Sequence, residues 1–373
     1  MYNSNASKVQ GSTETYYLSQ FLARRSDLHI FAPLEEPVED AINHPLPITG
    51  ITGVLLLNII LAPYWLYYLF KERPDIIYCY ENVILPAFLG RWIFGATVVF
   101  DLQSDPYDQA VEFSSEDDRG LIFGLFLWIG KCVHTVALRW AHYVFVLSEP
   151  LADTVISNYG IDRNVIRLLP LGVDTTRFTP TEESYDRLGI VYVGTLNRHR
   201  DIDTLIEAVS GLPPELQANI RLDLYGKGDE KYISDLVSRA SEGSPLKVEW
   251  HGMIPHEDIP KRAGKSDIAV SPLPAYEAYQ VSSPAKIFEY LALGLPVVAS
   301  RINPHERILT KNSNALLYEP ESADSLRTQL EKLIQNKEAR DEFAENARST
   351  AIECGWEQRF SVVDETLNLK YER

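Results

Sequence analysis

Residues 282–300 read SSPAKIFEYLALGLPVVAS. Pro284 suits the first turn of a helix, Ser282 or Ser283 the cap before it, Gly294 the turn after it and Leu295–Ala299 a buried strand. Such a unit belongs to an α/β layer, and apolar runs of four to eight residues recur on either side of it. In the latter half they are IVYVG (190–194), RLDLYG (221–226), VEWHG (248–252) and IAVSP (268–272). The first half has LHIFAP (28–33), DIIYCY (75–80), ATVVFD (96–101), YVFVLS (143–148) and VIRLLP (165–170). Helical stretches lie between the runs, and the polar TEESYDRLG after Pro180 separates the two series. The expected fold is therefore α/β, with two doubly wound, Rossmann-like parallel sheets joined near residue 180. Ligands of such sheets sit beyond the carboxyl ends of the strands, and two sheets suggest a shared cleft. The expected division is an N-terminal domain over 1–180, a second over 181–352 and a C-terminal helix over 353–373 that crosses back to the first. MYNSNASKVQ is too polar for the opening strand this topology wants, so the natural chain is expected to start upstream of Met1.

Length and charge narrow the function. The chain has 373 residues and a formal charge of −17. That charge is spread evenly, with 12 Lys+Arg against 20 Asp+Glu in residues 1–180 and 23 against 32 in the rest. Without a basic face, nucleic acid is not an expected partner, and any phosphate must be held locally. Three cysteines with no CxxC pair support neither a disulfide framework nor a cysteine zinc site. No signal peptide is visible at the N-terminus, which favours a cytoplasmic chain. Two apolar segments, Ile51–Phe70 and Gly120–Gly130, qualify that reading. The first reaches the ~20 residues of a membrane span, but the strand-like IIYCY that follows would be torn from its sheet, so peripheral attachment to a membrane surface is expected instead.

The helix opening at Pro284 gathers Ser283, the amides of residues 285–287 and Lys286, a set that attracts phosphate through unpaired N–H groups and the helix dipole. Glu289, one turn on, could accept both hydroxyls of a ribose or form a plain ion pair with Lys286.

Motif order favours the first alternative. VYVGTLNRHRDIDTLIEA, LDLYGKGD, VEWHG, SDIAVSP, SPAKIFEYLALGLPVVAS, NALLYEP and ENARSTA resemble the donor half of the retaining nucleotide-sugar glycosyltransferases of family four, which have the GT-B fold. VFVLSEPLADTVISNYGI and VIRLLPLGVDTTRFTP are similar to the unit leading into that family's linker. The resemblance implies that Glu289 binds ribose, that Arg200 stands where the family has a lysine on the donor phosphates, and that Met253 and Ile254 pack on the base. Thr195 replaces a customary arginine, with Lys286 placed to substitute for it. Val281 replaces the first of two glutamates, with Glu277 a candidate to compensate. On the acceptor side, Asp101 and Asp105 either orient an acceptor hydroxyl or merely close a turn or cap a helix, and Gly11 and Ser12 line the opposite wall.

The implied activity is transfer of a sugar from a nucleotide diphosphate to an acceptor hydroxyl with retention. Arg200 and Lys286 neutralise the leaving group and no metal or other cofactor is expected. The apolar segments of the first half suggest a lipid-linked glycan or glycolipid acceptor at the inner face of the membrane. A nucleotide-sugar epimerase and a catalytically impaired binding protein are the alternatives. Asp201-x-Asp203 resembles a metal-binding pair, but it sits at a helix start where acids suit the dipole. Gly226-x-Gly228 lacks the third glycine of a dinucleotide fingerprint.

Overall fold

The computed structural model describes residues 13–32, 37–45, 60–80, 84–105, 107, 120–309 and 313–369. Gly11, Ser12, the polar N-terminal segment and residues 51–59 of the first apolar stretch lie outside them. The chain divides into two compact units, Met1–Pro170 with Val281–Ser283 and Trp356–Arg373, and Leu171–Gln280 with Pro284–Gly355.

In the first unit, α1 (Thr13–Ala23) precedes β1 (His29–Ala32), which pairs in parallel with β2 (Ile42–Pro45). INHP is too short and polar to read as a strand. Asn43 makes it one: its Oδ1 accepts from Val38 N at 3.0 Å, and its Nδ2 donates to the Val38 and Ala41 carbonyls, closing the turn that sets β2 beside β1. There follow α2 (Ala62–Glu72), β3 (Ile76–Tyr80), α3 (Leu85–Phe94), β4 (Thr97–Leu102) and α4 (Leu121–Arg139). Next come β5 (Tyr143–Val146), α5 (Glu149–Tyr159) and β6 (Ile166–Leu168). Strands β3 to β6 form a parallel sheet in chain order. Crossovers that all step the same way set α3, α4 and α5 on one face. Val99, Phe100 and Val144–Val146 are fully buried, as central parallel strands require. Among the described residues no helix is long and apolar enough to cross a membrane.

The second unit runs β7 (Leu188–Val193), α6 (Ile202–Ser210), α7 (Pro214–Gln217), β8 (Ile220–Tyr225), α8 (Glu230–Ser241) and β9 (Lys247–Trp250). It continues with α9 (Ile259–Ala263), β10 (Ile268–Ser271), α10 (Glu277–Gln280), α11 (Ala285–Ala292) and β11 (Val297–Ser300). The unit closes with α12 (Asn303–Ile308), β12 (Ala315–Tyr318), α13 (Ala323–Gln335) and α14 (Lys337–Glu353). Its parallel sheet has the order β12-β11-β10-β7-β8-β9. The strand order reverses between β7 and β10, which is where a doubly wound sheet opens a crevice at its strand ends. Residues 171–178 are stapled to this unit: Val173 N donates to the Cys354 carbonyl, and Arg348 donates to the carbonyls of Thr175, Phe178 and Ala292 at 2.7–2.9 Å. The final helix, α15 (Trp356–Leu367), belongs to the first unit, where Trp356 stacks on Tyr17 and Phe360 packs on Phe21.

The capping expectation at residues 282–283 does not hold. Helix α11 starts at Ala285 with Pro284 as its N-cap and no side-chain cap. The reason is that Val281–Ser283 is drawn into the first unit, where Ser148 Oγ donates to the Val281 carbonyl at 2.8 Å.

The strand ends beside the crevice depend on glycine. Gly194 and Gly226 have φ of 150° and 142°. A Cβ on Gly226 would lie 1.8 Å from the Gly194 carbonyl oxygen. Gly226→Ala is therefore expected to cost about 2 kcal/mol or more and to lower the melting temperature by roughly 5 °C. Gly243→Ala, with φ 67° but nothing within 4 Å of the added carbon, is expected to cost about 1 kcal/mol. Equal losses in thermal unfolding would contradict the steric account.

Candidate functional site

The site forms at the β7/β10 switch point of the second unit, and helix α11 organises it. Lys286 and Tyr290 lie four residues apart on one face of α11. Tyr290 is fully buried and its Oη accepts the Val193 N–H at 2.8 Å, so the helix is docked on the end of β7. One turn earlier, Lys286 Nζ donates to Tyr192 Oη at 3.2 Å and lies 4.3 Å from the centre of the Tyr192 ring. The Tyr192 hydroxyl donates to the Thr195 carbonyl at 2.8 Å. The ammonium sits directly against the β7 turn, since a Cβ on Gly194 would come within 2.7 Å of Nζ.

Arg200 ends a short 3₁₀ turn, Arg198–Arg200, ahead of α6. Its guanidinium lies 5.1 Å from the centre of the Tyr279 ring, and the Tyr279 hydroxyl donates to the His199 carbonyl at 3.0 Å. One aromatic residue of α10 thus holds both the turn and its cation. Burial first, and then the nearby positive charge of Arg200, push the Lys286 amine down to about 7 against a smaller opposing effect of Glu289. Among the described residues neither Arg200 nor Lys286 makes an ion pair. Two cations that make no ion pair, in a protein of charge −17, have the chemistry to accept an anion.

The structure therefore brings Thr195, Arg200 and Lys286 together. Glu289 does not pair with Lys286: its Oε1 lies 2.7 Å from His256 Nε2, whose ring packs on Phe178. Met253 is 74% exposed on the loop after β9, with Ile254 half-buried beside it. Ser283 is half-buried and grouped with the first unit. The Ile287 amide, expected to be open, donates to the Pro284 carbonyl at 3.1 Å. Glu277 is exposed at the start of α10.

Asp101 and Asp105 of the first unit are buried and occupied. Asp101 accepts from the Tyr78 hydroxyl at 2.5 Å and from Gln103 Nε2 at 3.1 Å. Asp105 accepts from the Tyr107 amide and, at 2.9 Å each, from Asn158 Nδ2 and the Tyr159 hydroxyl. A buried carboxylate needs such donors, and both acids are placed inside the first unit.

Three other polar clusters lie in the second unit, the last of them already visible in the sequence. Ser271 and Ser300, at the ends of β10 and β11, flank the buried His305. Burial pushes that imidazole down to about 4, so it is neutral, with Nδ1 2.7 Å from the Ser300 carbonyl and Nε2 3.0 Å from Ser271 Oγ. Ser271 is itself fully buried, and the histidine ties the ends of β10 and β11 together. Asp223, Glu249 and His251 could in principle hold a metal ion. Arg221 already bridges the two acids, at 2.6 Å from Asp223 and 2.9 Å from Glu249, and supplies the positive charge. In Asp201-x-Asp203 the carboxylates diverge: Asp203 takes Tyr232 and Arg239, while Asp201, at φ 53°, takes Thr204 and is raised to about 6 by burial. Tyr192, Tyr279 and His256 were not singled out in the sequence, because tyrosines at strand ends and in loops look like core residues until their partners are known.

Residues 175–350 match the model for glycosyl transferases group 1, and residues 12–177 match that for glycosyltransferase family 4. An uncharacterized glycosyltransferase of Methanocaldococcus jannaschii is 23% identical over 319 residues, covering 80% of this chain and 75% of the relative. WaaG, a lipopolysaccharide glucosyltransferase of Escherichia coli, is 25% identical over 163 residues, 43% of this chain and 41% of the relative. The structure of HepE from Anabaena in complex with UDP and glucose superposes with a TM-score of 0.73 at 17% identity, covering 98% of each chain. Its GT-B fold is the fold of this protein. The two family models together span residues 12–350, and the chain belongs to the group 1 glycosyl transferases of the family-four type.

Proposed function

We propose that the second unit binds a nucleotide diphosphate-sugar and that the protein transfers its sugar, with retention and without a metal ion, to the hydroxyl of a lipid-linked glycan or glycolipid at the inner face of a membrane. The observation that carries this reading is the convergence of Arg200 and Lys286, both without an acid, on the strand ends at the switch point. A diphosphate supplies the missing charge. As the bond to the sugar breaks, negative charge grows on the departing phosphate, and groups already in place stabilise it with little reorganisation. Glu289, oriented by His256, is left to accept the ribose hydroxyls, and exposed Met253 with Ile254 offers an apolar ledge for the base. Retention needs no side-chain nucleophile if the leaving phosphate oxygen takes the acceptor's proton from the same face, in keeping with Val281 at the position of the family's upstream glutamate. The occurrence of UDP with glucose in the HepE complex supports a sugar nucleotide as donor. The apolar helices of the first unit support a lipid acceptor.

A panel of nucleotide sugars, incubated with membrane extract and read by release of nucleoside diphosphate, tests the reading. One donor should support release that depends on the acceptor. An isomerised donor formed without acceptor would instead mark an epimerase, and binding with no turnover a non-catalytic protein. Glu289→Ala, losing charge-assisted bonds to two hydroxyls, should reduce release on the order of a hundredfold; undiminished activity removes the ribose role.

Tyr279→Ala should lower kcat/KM about tenfold by freeing Arg200, while Tyr279→Phe, which keeps the ring, should retain most of it. An equal loss in both variants would show that the ring does not position the cation.

The surroundings of Lys286 set its amine at about 7, whereas a bound diphosphate favours the charged form. Donor binding should therefore take up a proton above that pH, and donor affinity should fall as pH rises through about 7, by up to about tenfold per unit. A flat profile between pH 6 and 9 would contradict this.

A further inference from the structure

We propose that the face of the first unit built from α2, α3 and α4 docks on an anionic lipid bilayer, which rests on and sharpens the reading of a membrane-borne acceptor. The face is continuous. Phe70 of α2 packs on Phe94 of α3 with ring centres 5.2 Å apart, and Phe88 of α3 packs on Trp140, at the end of α4, at 5.3 Å. Its outer side is apolar to an unusual degree for a surface. Trp92 is 77% exposed and Trp128 65%, with Tyr67, Phe70 and Trp140 also open. Isolated apolar residues on a surface need no explanation, but a joined set of large aromatics does.

The geometry of α4 points to a planar partner. Its exposed residues Leu125, Trp128, Cys132, Val136 and Trp140 recur every three or four positions, while Ala137 and Leu138 face inward. The stripe runs most of a 19-residue helix, about 28 Å. An apolar stripe of that length on a helix that does not span suits a helix lying in the membrane interface, where tryptophan and tyrosine rings are favoured.

Charge selects the kind of membrane. The three helices carry Lys71, Arg91, Lys131 and Arg139 against one acid, Glu72, which pairs with Lys71 at 2.7 Å; Arg91 donates to the Trp140 carbonyl within the aromatic set, while Lys131 and Arg139 sit at its edge against Tyr159 of α5. The whole chain has charge −17. A net positive, aromatic face on an otherwise acidic protein complements anionic headgroups and orients the rest of the molecule away from them.

Cys132 offers a direct probe. It is exposed on the stripe, whereas Cys79 and Cys354 are buried. The full chain, labelled there with an environment-sensitive fluorophore, is titrated with phosphatidylcholine vesicles with and without about one-third phosphatidylglycerol. The expected result is a blue shift with phosphatidylglycerol vesicles, about tenfold tighter than with phosphatidylcholine alone, weakening as salt is raised to 0.5 M. Trp92→Ser with Trp128→Ser should weaken binding at least tenfold at an unchanged melting temperature. Quenching of tryptophan emission by brominated phosphatidylglycerol in the unsubstituted chain gives the same answer without relying on that variant. No response to phosphatidylglycerol, equal binding to both vesicles, unchanged binding by the double variant or a concentration-dependent shift without lipid would each overturn the proposal, the last by showing a second copy on the face. Vesicle binding is read without turnover. A chain that binds vesicles but no sugar nucleotide refutes the donor reading alone, and one that transfers sugar but ignores vesicles refutes this one alone.

Discussion

An ammonium group set against a backbone turn, on an aromatic ring and in no ion pair, is the arrangement on which the second unit's polar end depends. Removing a charge from water without a partner is costly, and the usual outcome is a shifted pKa. Lys286 shows that outcome, with its amine pushed down to about 7. The surroundings are consistent with preserving the arrangement. Tyr290 fixes the helix that carries the lysine, Tyr192 gives it an acceptor and a ring face, and Gly194 leaves the room that any side chain would fill. Tyr279 holds the second cation in place without neutralising it. Fifty-two acidic side chains are available in the chain, yet among the described residues none forms an ion pair with either cation.

This pattern sets two cations of the second unit apart from its other charges. Arg221 with Asp223 and Glu249, and Arg239 with Asp203, are ion pairs whose members satisfy each other. Arg348 spends its donors on three carbonyls and ties the segment after residue 170 to the core. Arg200 and Lys286 do neither. The same contrast explains Asp101 and Asp105, whose hydrogen bonds from Tyr78, Asn158 and Tyr159 mark them as parts of the first unit's interior.

The fold was largely legible because long apolar runs alternate with helical periods, and ten such runs became strands. Two strands escaped that reading. INHP carries Asn43 and His44 and is made a strand by a side-chain clamp, and ALLY at 315–318 was visible only as part of a motif. The start of α11 was misplaced because the residues before it bond to Ser148, far away in sequence, and local capping rules do not see such a partner. Arg200, Lys286 and Glu289 could be named from motif order. Their neighbours could not, since Tyr279 acts on Arg200 across 79 positions and His256 reaches Glu289 from a loop. The exposure of Trp92 and Trp128 was likewise hidden, because a hydrophobic helix reads the same whether its outer face meets protein or lipid.

The state of Lys286 can be measured without knowing the donor. Lysines carrying 13C-labelled methyl groups, titrated by NMR, report each amine separately, and Lys286→Arg assigns the signal. The account predicts one lysine titrating at about 7 and moving upward when a diphosphate donor is added. Titration of every lysine above about 9.5, the ordinary range, would contradict it.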